Sequence, residues 1–65
     1  MKIKYLQDTD TLYIELSAAK VAVTSDVDEN TLLDFDEYGK VCGITIEHAA
    51  ELVDLHNFSF ERMGA

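Results

Sequence analysis

DVDENTLLDFDEYGKVCGITIE, Asp26–Glu47, decides the fold. Thr31–Asp36 alternates, with Leu33 and Phe35 on one side and Asp34 and Asp36 on the other, the signature of a half-buried strand. Glu37–Tyr38–Gly39–Lys40 closes a hairpin, and Gly39 supplies the positive φ that such connections need. Val41–Glu47 returns with Cys42, Ile44 and Ile46 facing Leu33 and Phe35, and Gly43 in mid-strand predicts a bulge or a close backbone approach. Asp28–Glu29–Asn30 is a charged turn ahead of the pair.

The same alternation extends outward. Met1–Leu6 sets Ile3 and Tyr5 against Lys2 and Lys4. After the polar break Gln7–Thr11, Leu12–Ser17 places Leu12, Ile14 and Leu16 opposite Tyr13, Glu15 and Ser17. Lys20–Val27 shows Val21, Val23 and Val27 on one side. Successive strands with short turns pair antiparallel, which predicts a β-meander of four to five strands. From His48 the alternation stops, and Ala49, Leu52, Val53 and His56 fall at helical spacing, so Glu47–Leu55 is expected to form a helix packed on the sheet. In the tail, Phe58 and Phe60 alternate as in a short strand, whereas Phe60 and Met63 would extend a helix; the pattern allows either. The expected fold class is α+β, one domain over residues 1–65, with a meander in 1–47 and the helix and tail in 48–65.

Composition sets the bounds on function. A 65-residue chain has room for one core only. A core of that size supplies about 3–5 kcal/mol at most unless something reinforces it. Cys42 is alone, so neither an internal disulfide nor a structural zinc site is available, with only His48 and His56 besides. Self-association remains, and a hydrophobic content of 48% points the same way, so a homo-oligomer, most simply a dimer, is expected. Tyr13 faces away from Leu12 and Ile14, which puts apolar groups on both sides of the sheet. Tyr13, Leu52, Phe58, Phe60 and Met63 are the expected oligomer or partner contacts.

The net charge of −8 repels phosphate backbones and anionic membrane surfaces, so neither nucleic acid nor a membrane is an expected partner. A basic protein is compatible with it. Met1–Leu16 alternates charged and apolar groups and carries no export signal, and no segment approaches the ~20 apolar residues of a membrane span. With a lone thiol, this suits a reducing cytoplasm.

Candidate chemistry is sparse. Asp26, Asp28, Glu29, Asp34, Asp36 and Glu37 gather acidic groups, and Asp34-x-Asp36-x-x-Gly39 begins like a calcium loop. Tyr38 at the fifth position, Thr45 at the twelfth and flanking strands then break the match; a divalent-cation or small-ligand binder using these turns is the alternative function. Asp34 and Asp36 look alike in surroundings and so lack the unlike environments that separate an acid from a base. His48 and Glu51 share a helix face without a second ligand motif. Cys42 faces inward, where cysteine serves as a small apolar filler, and no basic neighbour activates it. No catalytic residue, metal ligand or cofactor site is expected, and the chain is read as non-enzymatic.

Lys4-Tyr5, Asp10-x-Leu12-Tyr13-Ile14-x-Leu16, Val27-Asp28-Glu29, Leu33-Asp34-Phe35-Asp36-x-x-Gly39-Lys40-x-x-Gly43-Ile44-x-Ile46 and Ala49 together resemble a family of small prokaryotic proteins, the domain of unknown function numbered 2283. The resemblance runs without gaps from Met1 to about Ala50. Leu6 departs from it, since an acidic residue commonly follows the tyrosine, and Asn30 stands where a small residue usually turns the chain. The tail beyond Leu55 lies outside it. The family has no established activity, so the resemblance implies no site residues. Its short members are thought to accompany toxin-like partners, which implies an antitoxin-like role as one form of protein interaction.

Overall fold

The structure, a computed structural model, describes residues 1–64. Five antiparallel strands form one sheet: β1 (Lys2–Leu6), β2 (Thr11–Glu15), β3 (Val23–Asp26), β4 (Thr31–Phe35) and β5 (Val41–Glu47). A 3-10 turn, Gln7–Thr9, joins β1 to β2, and one short helix, α1 (Ala49–Leu52), follows β5. The strand order is β1-β2-β5-β4-β3. The α+β class and the antiparallel, meander-like sheet are as expected. A β1–β2 hairpin and a β3–β4–β5 meander merge along β2 and β5, so the last strand takes the centre. The connection from Leu16 to Ala22 carries the chain to the far edge.

The register sorts the residues into two faces. Ile3, Ile14, Ile44 and Leu33 stand in line across four strands, and Tyr5, Leu12 and Ile46 form the next row. Val23 pairs with Phe35 on the same side. By the alternation of side chains, no strand residue on this face carries a charge. Lys4, Tyr13, Thr45 and Leu32 line the other face, with Glu15, Gly43, Asp34 and Thr24 beside them. A register shift between Asp34 and Phe35 marks a β-bulge opposite Val41–Gly43. Beside it, the Leu16 and Ser17 amides both donate to the Cys42 carbonyl, at 2.9 and 3.4 Å.

The helix is shorter than its spacing suggested. Glu47 ends the sheet, His48 adopts a left-handed conformation (φ 55°), and one turn follows before Val53 becomes extended (φ −131°). Asp54 accounts for the stop: its carboxylate accepts the His56 amide at 3.2 Å and Asn57 Nδ2 at 2.8 Å. Such local side-chain bonds offer the backbone an alternative to helix. Residues 53–64 run on without helix or strand. The predicted strand Lys20–Val27 is likewise trimmed to Val23–Asp26, where β4 offers partners.

The core is small. Leu12, Cys42 and Ala49 are the buried hydrophobic residues. The chain is a slab of 39 × 33 × 18 Å with a radius of gyration of 13.0 Å. A compact chain of this length would show about 10.7 Å.

Candidate functional site

Two polar clusters and one apolar surface stand out. The first cluster lies on the charged face. Gly43 of β5 sits between β2 and β4, and the Tyr13 ring crosses it to reach Asp34. The Tyr13 hydroxyl donates to Asp34 Oδ2 at 2.9 Å, and the Thr24 hydroxyl donates to Asp34 Oδ1 at 2.7 Å. A β-carbon on Gly43 would collide with the Tyr13 hydroxyl and stand 2.9 Å from its Cζ. The mid-strand glycine therefore serves both expectations made of it, a close approach over Gly43 itself and a bulge beside it. The bond to Asp34 holds the phenol above its ordinary pKa, with burial and the Asp34 charge adding to the effect.

Asp10 organises the second cluster. It sits left-handed (φ 52°) after the 3-10 turn, a conformation that Asp tolerates better than most residues. Its carbonyl accepts the Ala49 amide at 3.0 Å. Its Oδ1 accepts the Ala50 amide at 3.0 Å and the Tyr5 hydroxyl at 2.6 Å. One residue from the first hairpin thus caps α1, whose own preceding residue, His48, makes no side-chain cap bond. The hydrogen bond to Asp10 raises the Tyr5 pKa, with burial second. His48 Nδ1 lies 2.9 Å from Asn30 Oδ1, which ties the β3–β4 turn to the end of β5.

The acidic turns are occupied by their own backbone. Asp28 Oδ1 accepts the Asn30 amide at 2.8 Å. That bond, with the Thr31 side chain next, holds the Asp28 carboxyl below its usual pKa. Asp36 Oδ1 accepts the Tyr38 and Lys40 amides, both at 2.9 Å, around Gly39 (φ 77°). Asp34 is engaged as above. Among the described residues, no three His, Cys, Asp or Glu side chains converge to hold a metal ion. His48 precedes α1 in a left-handed conformation, so it shares no helix face with Glu51, although both border a shallow surface pocket beside Glu29 and Asn30. Cys42 is 2% exposed, and burial first, then the Asp36 and Asp34 charges, push its thiol pKa up. That is the opposite of what nucleophilic attack requires.

The apolar surface is the uncharged face of the sheet with the tail against it. Val53, Asp54, Leu55 and Phe58 border a shallow groove over Ile3, Tyr5, Leu12 and Ile14. That covers part of the β1–β2 half, while on the β3–β4 half Leu33 and Phe35 are half-buried and Val23 stands out. Val23 is 59% exposed. The expected contact residues divide accordingly. Leu52, Phe58, Phe60 and Met63 are exposed by 55%, 71%, 78% and 86%. Tyr13 is half-buried on the opposite, charged face and bonded to Asp34. Sequence spacing did not identify Asp10 as the cap of a helix forty residues away; a Tyr–Asp pair across a tight turn was the only local sign.

These features define a small single-sheet α+β protein whose polar clusters pin strands and turns to one another. The chain belongs to the family described as protein of unknown function DUF2283, whose model matches residues 2–49. An uncharacterised protein of Methanocaldococcus jannaschii is 38% identical over 58 residues, 89% of this chain and 49% of the relative. The chain thus spans about half the length of that curated relative. No solved structure matches significantly. No helix among the described residues is long and apolar enough to cross a membrane.

Proposed function

We propose that the chain is a non-enzymatic, self-associating protein-interaction module of the cytoplasm. The observation that carries this is surface in excess. The chain exposes 5360 Å². A compact folded monomer of 7.3 kDa would expose about 4,200 Å². The surplus of about 1,200 Å² exceeds the ~800 Å² that each partner of an ordinary complex buries. The extended segment 53–64, with Phe58, Phe60 and Met63 exposed by 71%, 78% and 86%, contributes to that surplus together with the uncharged face, while the strand charges lie on the other face and the remainder on the turns, α1 and the tail. Self-association through the apolar side leaves an acidic exterior, which suits a basic protein partner through steering and complementarity. An antitoxin-like neutraliser is the narrower form of the same reading.

Size-exclusion chromatography with light scattering over a hundredfold dilution tests it. A dimer is expected, with a melting temperature that falls on dilution, because association stabilises only the folded chain. A well-folded monomer at every concentration would refute self-association.

A further inference from the structure

We infer that two copies pack uncharged face to uncharged face, about a two-fold axis parallel to β5, with each C-terminal segment clamped between its own β1–β2 half and the partner's β3–β4 half. This rests on the self-association proposed above and specifies its geometry. The occupant of the apolar face is a second copy for three reasons.

The first is area. Burying the surplus on both subunits removes about 2,400 Å² in total, within the range of permanent dimers and above that of transient contacts. The second is charge. Each copy carries −8, and the strands present one face free of charge; the segment crossing it adds Asp54, whose carboxylate is taken up by the His56 amide and Asn57, and Glu61 beside Arg62, which cancel.

The third reason is shape. The uncharged face is uneven: among the described residues, Val53, Leu55 and Phe58 thicken the β1–β2 half, and no comparable border lies over the β3–β4 half. Sheets in direct contact pack about 10 Å apart, a spacing filled by side chains alone, so a main-chain segment between two faces holds them further apart and must do so over both halves alike. A two-fold axis across the strands would set thick half on thick half and leave bare half facing bare half across a gap. An axis along the strands sets β5 over β5 and thick half over bare half, which closes both gaps at once. In that arrangement the outward side of the tail, with Phe60 78% and Met63 86% exposed, meets the partner's Val23, Leu33 and Phe35. The interface is isologous, and the charged faces with their Tyr13–Asp34 clusters remain outside.

The test uses the full chain. Phe60→Ser leaves the subunit's own packing almost untouched, and is expected to raise the dimer dissociation constant at least tenfold by light scattering and dilution. In a Cys42→Ala background, the double variant Val23→Cys/Phe60→Cys is expected to form a covalent dimer on mild oxidation, and Val23→Cys alone is not. An unchanged dissociation constant for Phe60→Ser would overturn the arrangement while leaving self-association intact. So would self-linking by Val23→Cys alone, because it sets bare half on bare half. So would an oxidised double variant that stays monomeric. A parent chain that is monomeric throughout would overturn the self-association beneath it as well.

Discussion

Replacing Gly43 with alanine asks what a single methyl group costs where Tyr13 crosses the sheet. The new β-carbon would stand 2.9 Å from Tyr13 Cζ and 3.0 Å from Asp34 Oδ2, with the hydroxyl closer still. The colliding atoms are the far end of a side chain, so the ring swings away and the backbone holds. What is lost is the 2.9 Å bond to Asp34. A hydrogen bond to a charged group contributes about 1.5–3 kcal/mol, and partial solvent exposure with the surviving Thr24 bond favours the lower end. Removing a strand glycine returns about 0.5–1 kcal/mol. The net destabilisation is about 0.5–1.5 kcal/mol, a fall of about 2–12 °C in melting temperature for a domain this small. The control is the same change in a Tyr13→Ala background, where only the Asp34 carboxylate, a side-chain end freed from its Tyr13 bond, still faces the methyl, and the change is expected to be close to neutral. Urea titration of parent, both single variants and the double variant at one protein concentration gives a coupling of about 1 kcal/mol. An equal cost of Gly43→Ala with and without Tyr13 would refute the crossing as the reason for glycine.

Gly39→Ala provides the contrast. No atom lies within 4 Å of a β-carbon there, so only the positive φ resists, and the cost is expected at about 1–2 kcal/mol with no dependence on any neighbour. Asp10→Ala removes the acceptor of both the Tyr5 hydroxyl and the Ala50 amide; a loss of about 1–2 kcal/mol is expected, with protease cleavage after Leu52 appearing before global unfolding. High pH should weaken the fold through the tyrosines. Each phenol donates to a carboxylate and has a raised folded pKa, so its contribution is complete below the unfolded value of about 10 and is lost as pH rises through the folded one. Melting curves between about pH 8 and pH 11 should show a shallower alkaline decline for Tyr13→Phe than for the parent.

Strand positions were legible because period-two alternation is a local property, and Leu12–Ile14 or Leu33–Phe35 declare their inward face unaided. Strand order is not local. Nothing in Val41–Glu47 announces that β2, thirty residues earlier, is its second neighbour, since either face of the pairing satisfies the same alternation. The helix was overread because Ala49, Leu52 and Val53 carry helical spacing, while the competing bonds of Asp54 depend on Asn57 folding back to meet them. Gly43 was readable as an anomaly, but its cause, a tyrosine from another strand, was not. The acidic residues looked like a cation site because carboxylates are counted by sequence and satisfied in space: Asp28 and Asp36 hold their own turns.

The central place of β5 bears on how the chain comes together during synthesis. It is the last of the five strands in chain order, yet both β2 and β4 bond to it. Until residues 41–47 emerge from the ribosome, the nascent chain holds two isolated hairpins, neither of them durable in water. Insertion of β5 zips the two hairpins into one sheet in a single late step, so the interval before it is when the polypeptide is most open to proteolysis or to capture by a neighbouring strand.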